Sequence, residues 1–140
     1  MIYYKVVTQQ IDGKLISCIA DDPRLLVIYE LGRWSFPKLK GSKLFIFKTP
    51  ENATDFVKII HRGHSSKTYY IYQCEAKQVV KSAPCRRYYF MNTDMEIIKT
   101  IWKRYKNKKK YTNLTNECAP KGTLWADVVK LTDLLITIPA

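Results

Sequence analysis

Four short β-rich runs separated by breakers occupy residues 2–49, and no other feature constrains the fold as tightly. "IYYKVVT" (2–8) and "LISCIA" (15–20) flank "IDGK", whose glycine suits a tight turn, so the pair reads as a hairpin. "LLVIYEL" (25–31) follows the breaker Asp21-Asp22-Pro23 as a third strand, and "KLFIFKT" (43–49) is a fourth. The intervening "GRWSFPKLKG" has a proline and a glycine at either end, and cannot be regular throughout. A four-strand meander is the simplest arrangement of these runs.

The next stretch changes period. In "TPENATDFVKII", Thr49 can cap, Pro50 suits the first helical position and Glu51 sits in the first turn. Ala53, Phe56, Val57 and Ile60 then recur at i, i+3, i+4 and i+7, which predicts a helix with that face packed on the sheet. Gly63 ends it. "TYYIYQCEAKQVV" (68–80) returns to strand, with Tyr70, Tyr72 and Cys74 on one side and Tyr69, Ile71 and Gln73 on the other. A second helix is expected over "TDMEIIKTIWKRY", opened by Thr93 and Glu96 at capping-box spacing, with Ile98, Ile101, Trp102 and Tyr105 as its apolar stripe. "GTLWADVVKL" (122–131) is a late strand, although "ADVVKLTDLL" also fits a helix. With no repeat and no second core, residues 1–140 are expected to form a single α+β domain, a mostly antiparallel sheet with two amphipathic helices. A chain of this length buries enough surface to fold without cross-links.

Charge is the main functional clue. The net charge is +12, and Lys99, Lys103, Arg104, Lys106, Lys108, Lys109 and Lys110 supply seven cations within twelve residues that include no acid. Strong positive charge attracts polyanions. The lysines of this stretch can track phosphates, and the adjacent arginines Arg86 and Arg87 carry planar forks that suit a phosphate. Against this, cations near a helix C-terminus are favoured by the helix dipole alone, and Trp102 and Tyr105 fall on the buried stripe. Lysines outnumber arginines six to one there, which favours charge attraction over base reading. Trp34 and Phe36 are placed either to stack a base or to plug the core.

Other chemistry has little to work with. His61 and His64 match no familiar zinc spacing, and His61 at a helix end is more simply a cation favoured by the dipole. Cys85 stands beside Arg86 and Arg87, which would stabilise a thiolate, but only the two histidines exist to serve as base. There is no GxSxG elbow, no GxGxxG and no Walker pattern, so no cofactor is expected. The four cysteines lack CxxC spacing and read as reduced thiols. The start "MIYYKVVTQQ" is unlike a signal peptide and the apolar runs are too short to span a bilayer, so a cytoplasmic, membrane-free protein is expected.

Taken in order, "YYKVV", "GKLISCI", "YELGRWSFPK", "LFIFKTPENATDF", "YYIYQCEAK" and "KGTLWADVVKL" resemble a loose family of small uncharacterised phage and prophage proteins. The resemblance leaves out residues from about 80 to 118, where the basic stretch lies. It implies an α+β fold and a mobile-element setting, such as a host-takeover or counter-defence factor, and brings no reaction with it. The order of elements is also similar to ADP-ribosyltransferase-like folds, but no Arg…Ser-Thr-Ser or His-Tyr pair is present and Glu75 has no second carboxylate two residues away. The expected function is non-enzymatic binding of an anionic partner, nucleic acid or nucleotide. The alternatives are a protein-directed inhibitor of a host factor and a divergent ADP-ribosyl-handling enzyme using Glu75, Tyr70 and Tyr72.

Overall fold

The computed structural model describes residues 1–18, 24–61, 67–81, 99, 102–103 and 121–140. Its strands are β1 (Tyr3–Gln9), β2 (Leu15–Ser17), β3 (Ile28–Tyr29), β4 (Trp34–Ser35), β5 (Leu44–Phe47), β6 (Tyr69–Lys77), β7 (Thr123–Ala126) and β8 (Val128–Ile138). Helix α1 (Pro50–His61) joins β5 to β6. All eight strands belong to one sheet and every pairing is antiparallel.

The fold class is α+β as expected, but the meander stops after three strands. The path runs β3-β2-β1-β6-β8-β4, while β5 pairs with β1 and β7 instead of β3. "GRWSFPKLKG" contributes β4, which pairs with β8 through Trp34 opposite Lys130 and Ser35 opposite Val129. The late segment is strand throughout, because β7 pairs residue by residue with β5 and β8 with β6, and Val128–Leu131 alternate half-buried and buried positions; the helical option for "ADVVKLTDLL" is excluded. α1 is the one helix with a described extent. The expected second helix falls mostly outside the described residues, although Lys99, Trp102 and Lys103 are helical.

This connectivity forces the sheet to curl. A flat path of six strands would hold β3 and β4 about 24 Å apart, at the usual spacing of about 4.8 Å per step. Yet Tyr29 and Trp34 are five residues apart in sequence, a span of at most about 18 Å even when fully extended. The ends of the path must therefore approach each other. A second closure passes through β5: β1 pairs with β6, β6 with β8, β8 continues into β7 across Asp127, β7 pairs with β5, and β5 returns to β1 at Tyr4 opposite Phe47.

Each face of the curled sheet has its own core. Val7, Tyr29, Ile46, Tyr72, Cys74, Ala126, Val129 and Leu131 form one cluster, which joins β3 at one end of the path to β8 beside the other and so fills the inside of the curl. Val6, Phe45, Phe47, Ile71 and Trp125 point the other way and pack under Ala53, Phe56 and Val57 of α1. Thr49 caps that helix, its hydroxyl accepting the Asn52 amide at 3.1 Å. Trp102 completes the outer cluster, 2% exposed and edge-on to Trp125 at 5.6 Å. Among the described residues no helix is long and apolar enough to cross a membrane.

Candidate functional site

The seam between β3 and β4 is where the curl stays open. No backbone ladder joins these two strands among the described residues, and between them lies a cleft of about 850 Å³. That lies within the range of about 300–1,000 Å³ typical of small-molecule sites. Tyr29, Trp34 and Phe36 line it, together with the cations Lys14, Arg33 and Lys38. Among the described residues Glu30 is the one carboxylate in its lining, and Arg33 already holds it at 3.3 Å.

Local sequence explains why aromatic rings surface here. Gly32 takes a φ of 75°, a left-handed turn that a glycine adopts without strain, and its amide donates to the Leu131 carbonyl at 2.9 Å. The turn delivers Trp34 onto β8 at the end of the sheet path. There the Lys77 and Lys130 ammonium groups lie 4.4 and 4.9 Å from the centre of its ring. Lys130 also pairs with Glu75 at 2.7 Å, whereas Lys38 and Lys77 have no carboxylate partner among the described residues. After two residues of strand the chain leaves the sheet, because Pro37 has no amide to continue a ladder, and Phe36 is left 63% exposed. Of the two options for these rings, Trp34 is half-buried against its lysines and Phe36 is no core plug.

The same loop reaches a second site. Phe36 and Lys38 line the cleft, while Leu39, Lys40 and Gly41 form one wall of a pocket of about 240 Å³ whose other wall is Lys99, Trp102 and Lys103. The helical phase expected for the basic stretch holds at the three described positions: Trp102 is buried, Lys99 and Lys103 are exposed. Arg86, Arg87, Arg104, Lys106, Lys108, Lys109 and Lys110 lie outside the described residues, as do Cys85, Cys118 and His64. Nothing further is placed for them.

One buried group was not singled out from the sequence. Lys5 is 2% exposed, on the inward face of β1 with Tyr3 and Val7. It sits where β1 changes partners, between Tyr4, which pairs with β5, and Val7, which begins the pairing with β2. Its ammonium spans this fork, donating to the Phe45 carbonyl at 2.8 Å and lying over the Phe45 ring at 4.0 Å and the Tyr29 ring at 5.4 Å. Burial pulls its pKa down to about 8, opposed by the neighbouring Cys18 and Cys74 thiols. Those thiols are pushed the other way by the same loss of solvent, to about 11 and about 12. A lysine between tyrosine and valine on one face of an apolar strand was the available signal. An amine so enclosed is shut off from a solute, and what it does chemically is tie β1 to β5.

The remaining candidates are dispersed. Glu75 is exposed on β6, its carboxyl held below the usual range by the hydrogen bond and charge of Lys130. Tyr70 donates to the Gln9 side chain at 3.2 Å, and burial raises the Tyr72 hydroxyl above its usual range. His61 ends α1, and its Nε2 is buried without a hydrogen-bond partner among the described residues. Cys18 and Cys74 are free and buried. No group of three or more metal-ligating side chains occurs among the described residues. No family model, no curated protein and no solved structure matches this chain.

Proposed function

We propose that this protein is a non-enzymatic binder of an anionic partner, nucleic acid or nucleotide, and that the residues engaging phosphate are Arg86, Arg87, Lys99, Lys103, Arg104, Lys106, Lys108, Lys109 and Lys110 together with Lys40. The single observation that carries the reading is the pocket beside Trp102. Lys40, from the loop between β4 and β5, meets Lys99 and Lys103 there, and among the described residues no carboxylate lines the pocket. A helix dipole accounts for lysines near a helix end. It gives no reason for a loop lysine from some sixty residues earlier in the chain to join them. Three like charges gathered at one pocket attract an anion, and release of counterions by a phosphate backbone supplies the gain. The basic residues beyond Lys103 extend the same surface in this reading, on the second helix expected from Thr93 to Tyr105 and the tail that follows it.

The test replaces Lys40, Lys99 and Lys103 by Gln and measures affinity for a labelled oligonucleotide over a range of salt. Affinity should fall, and the slope of log K against log salt should shrink by about 0.7–0.9 for each phosphate no longer neutralised. Trp102 is untouched, so the thermal unfolding profile should be kept. An unmutated protein with no salt-dependent binding to DNA, RNA or nucleotides would end this reading in favour of a protein partner.

A further inference from the structure

We infer that the β3–β4 cleft selects single-stranded nucleic acid, taking one or two unstacked bases onto Phe36 and Trp34 while Lys38, Lys77 and Lys14 meet the adjoining phosphates. This rests on the nucleic-acid reading above and specifies the form of the ligand. A base inside a duplex shows only its edges, whereas an unpaired base offers a face on which an aromatic ring can stack. The cleft provides such rings where its surface is also cationic: Phe36 stands 63% exposed, and Trp34 carries two ammonium groups close to its ring.

Charge complementarity names the occupant. Among the described residues Lys14, Arg33 and Lys38 line the cleft with Glu30; Arg33 holds Glu30 at 3.3 Å, and Lys14 lies 3.9 Å from the exposed Asp12 carboxylate, a long contact that a phosphate can replace. Lys77 and Lys38 lack carboxylate partners among the described residues, so they are available to an incoming anion. Continuity sets the direction of the strand. Residues 36–41 border both the cleft and the lysine pocket, so a backbone leaving Phe36 passes Lys38 and Lys40 before reaching Lys99 and Lys103. Sequence preference should be slight, because every base has a face to stack and neither lysine reads an edge.

The experiment uses fluorescence anisotropy with the full chain, a fluorescein-labelled twelve-residue oligothymidylate and a labelled duplex of about twelve base pairs. The single strand should bind at least about tenfold more tightly than the duplex, and binding should quench tryptophan emission. Phe36→Ala should weaken the single strand by about 5- to 150-fold and the duplex hardly at all. Phe36→Trp should restore binding, whereas Phe36→Leu, which keeps apolar bulk without a ring face, should not. Equal affinity for both probes with no effect of Phe36→Ala would overturn the cleft as a base site and leave the lysine surface standing. Failure of the unmutated protein to bind either probe would instead remove the nucleic-acid reading itself.

Discussion

Lys5 is the buried cation among the described residues, and its protonation ties local chemistry to global stability. The groups facing it are the aromatic rings of Phe45 and Tyr29, its register partner Tyr72, and the Cys18 and Cys74 thiols. None is a carboxylate, so the folded state holds the amine's proton less tightly than the unfolded chain does. Between about pH 8 and 10.5 the unfolded state therefore binds more protons, and stability rises with pH. Full recovery would amount to about 3 kcal/mol, the folded pKa of about 8 lying well below 10.5. The thiols act in the opposite sense. Raised from 9.0 to about 11 and about 12, they favour the unfolded state as soon as its cysteines begin to ionise. Stability in denaturant should therefore climb from about pH 7.5 to a maximum near pH 9 and then fall. Lys5→Met should abolish the climb and keep the fall. A climb that survives in the variant would mean that another group carries it.

At the scale of elements, α1 shows what the sequence made plain. Its cap, its bounds and its buried face were all readable, because Thr49, Pro50 and the spacing of Ala53, Phe56 and Val57 act within a dozen residues. Phe56 lies 5.6 Å from the Phe45 ring and 5.1 Å from that of Phe47, so Phe56→Ala should cost about 3–5 kcal/mol in a denaturant melt. Exposed Lys58→Ala should cost under about 0.5 kcal/mol, and equal losses would place the helix on the wrong face. The sides of β6 were legible too, since Tyr69 and Ile71 face α1 while Tyr70, Tyr72 and Cys74 face inward, whereas β4 carried no strand signal of its own. Pairing was not. Whether β5 lies beside β3 or beside β1 and β7 depends on contacts between residues such as Phe47 and Thr123, about seventy-six positions apart, which no local pattern encodes. The cleft was not legible for the same reason: Trp34 and Phe36 stand out in the sequence as a pair, but Lys77 and Lys130 reach the Trp34 ring only once β4 joins the sheet next to β8.

In the whole molecule the two cores share their walls. β1 sends Val6 to the outer cluster and Val7 to the inner; β5 divides Phe45 and Phe47 from Leu44 and Ile46; β7 divides Trp125 from Leu124 and Ala126. A strand cannot leave one cluster without leaving the other, so the layers have no means of unfolding separately. Binding determinants are placed differently: Phe36 is in neither cluster, and Lys38, Lys40, Lys99 and Lys103 are exposed, so the surface can be altered without loosening the frame. Leu131→Ala, in the inner cluster, should lower stability by about 2–5 kcal/mol, comparable to Phe56→Ala on the outer side. In both variants far-ultraviolet circular dichroism and tryptophan fluorescence should report one coincident transition. Trp125 is the sensitive probe, since it pairs with β5, bridges to Val80 and touches Trp102 edge-on, so its emission follows the outer cluster while dichroism follows all eight strands. If Leu131→Ala split the two signals, with dichroism lost before fluorescence, the inner strands would be melting under an intact outer layer. The closure through Tyr4 and Phe47 would then be too weak to couple the two faces.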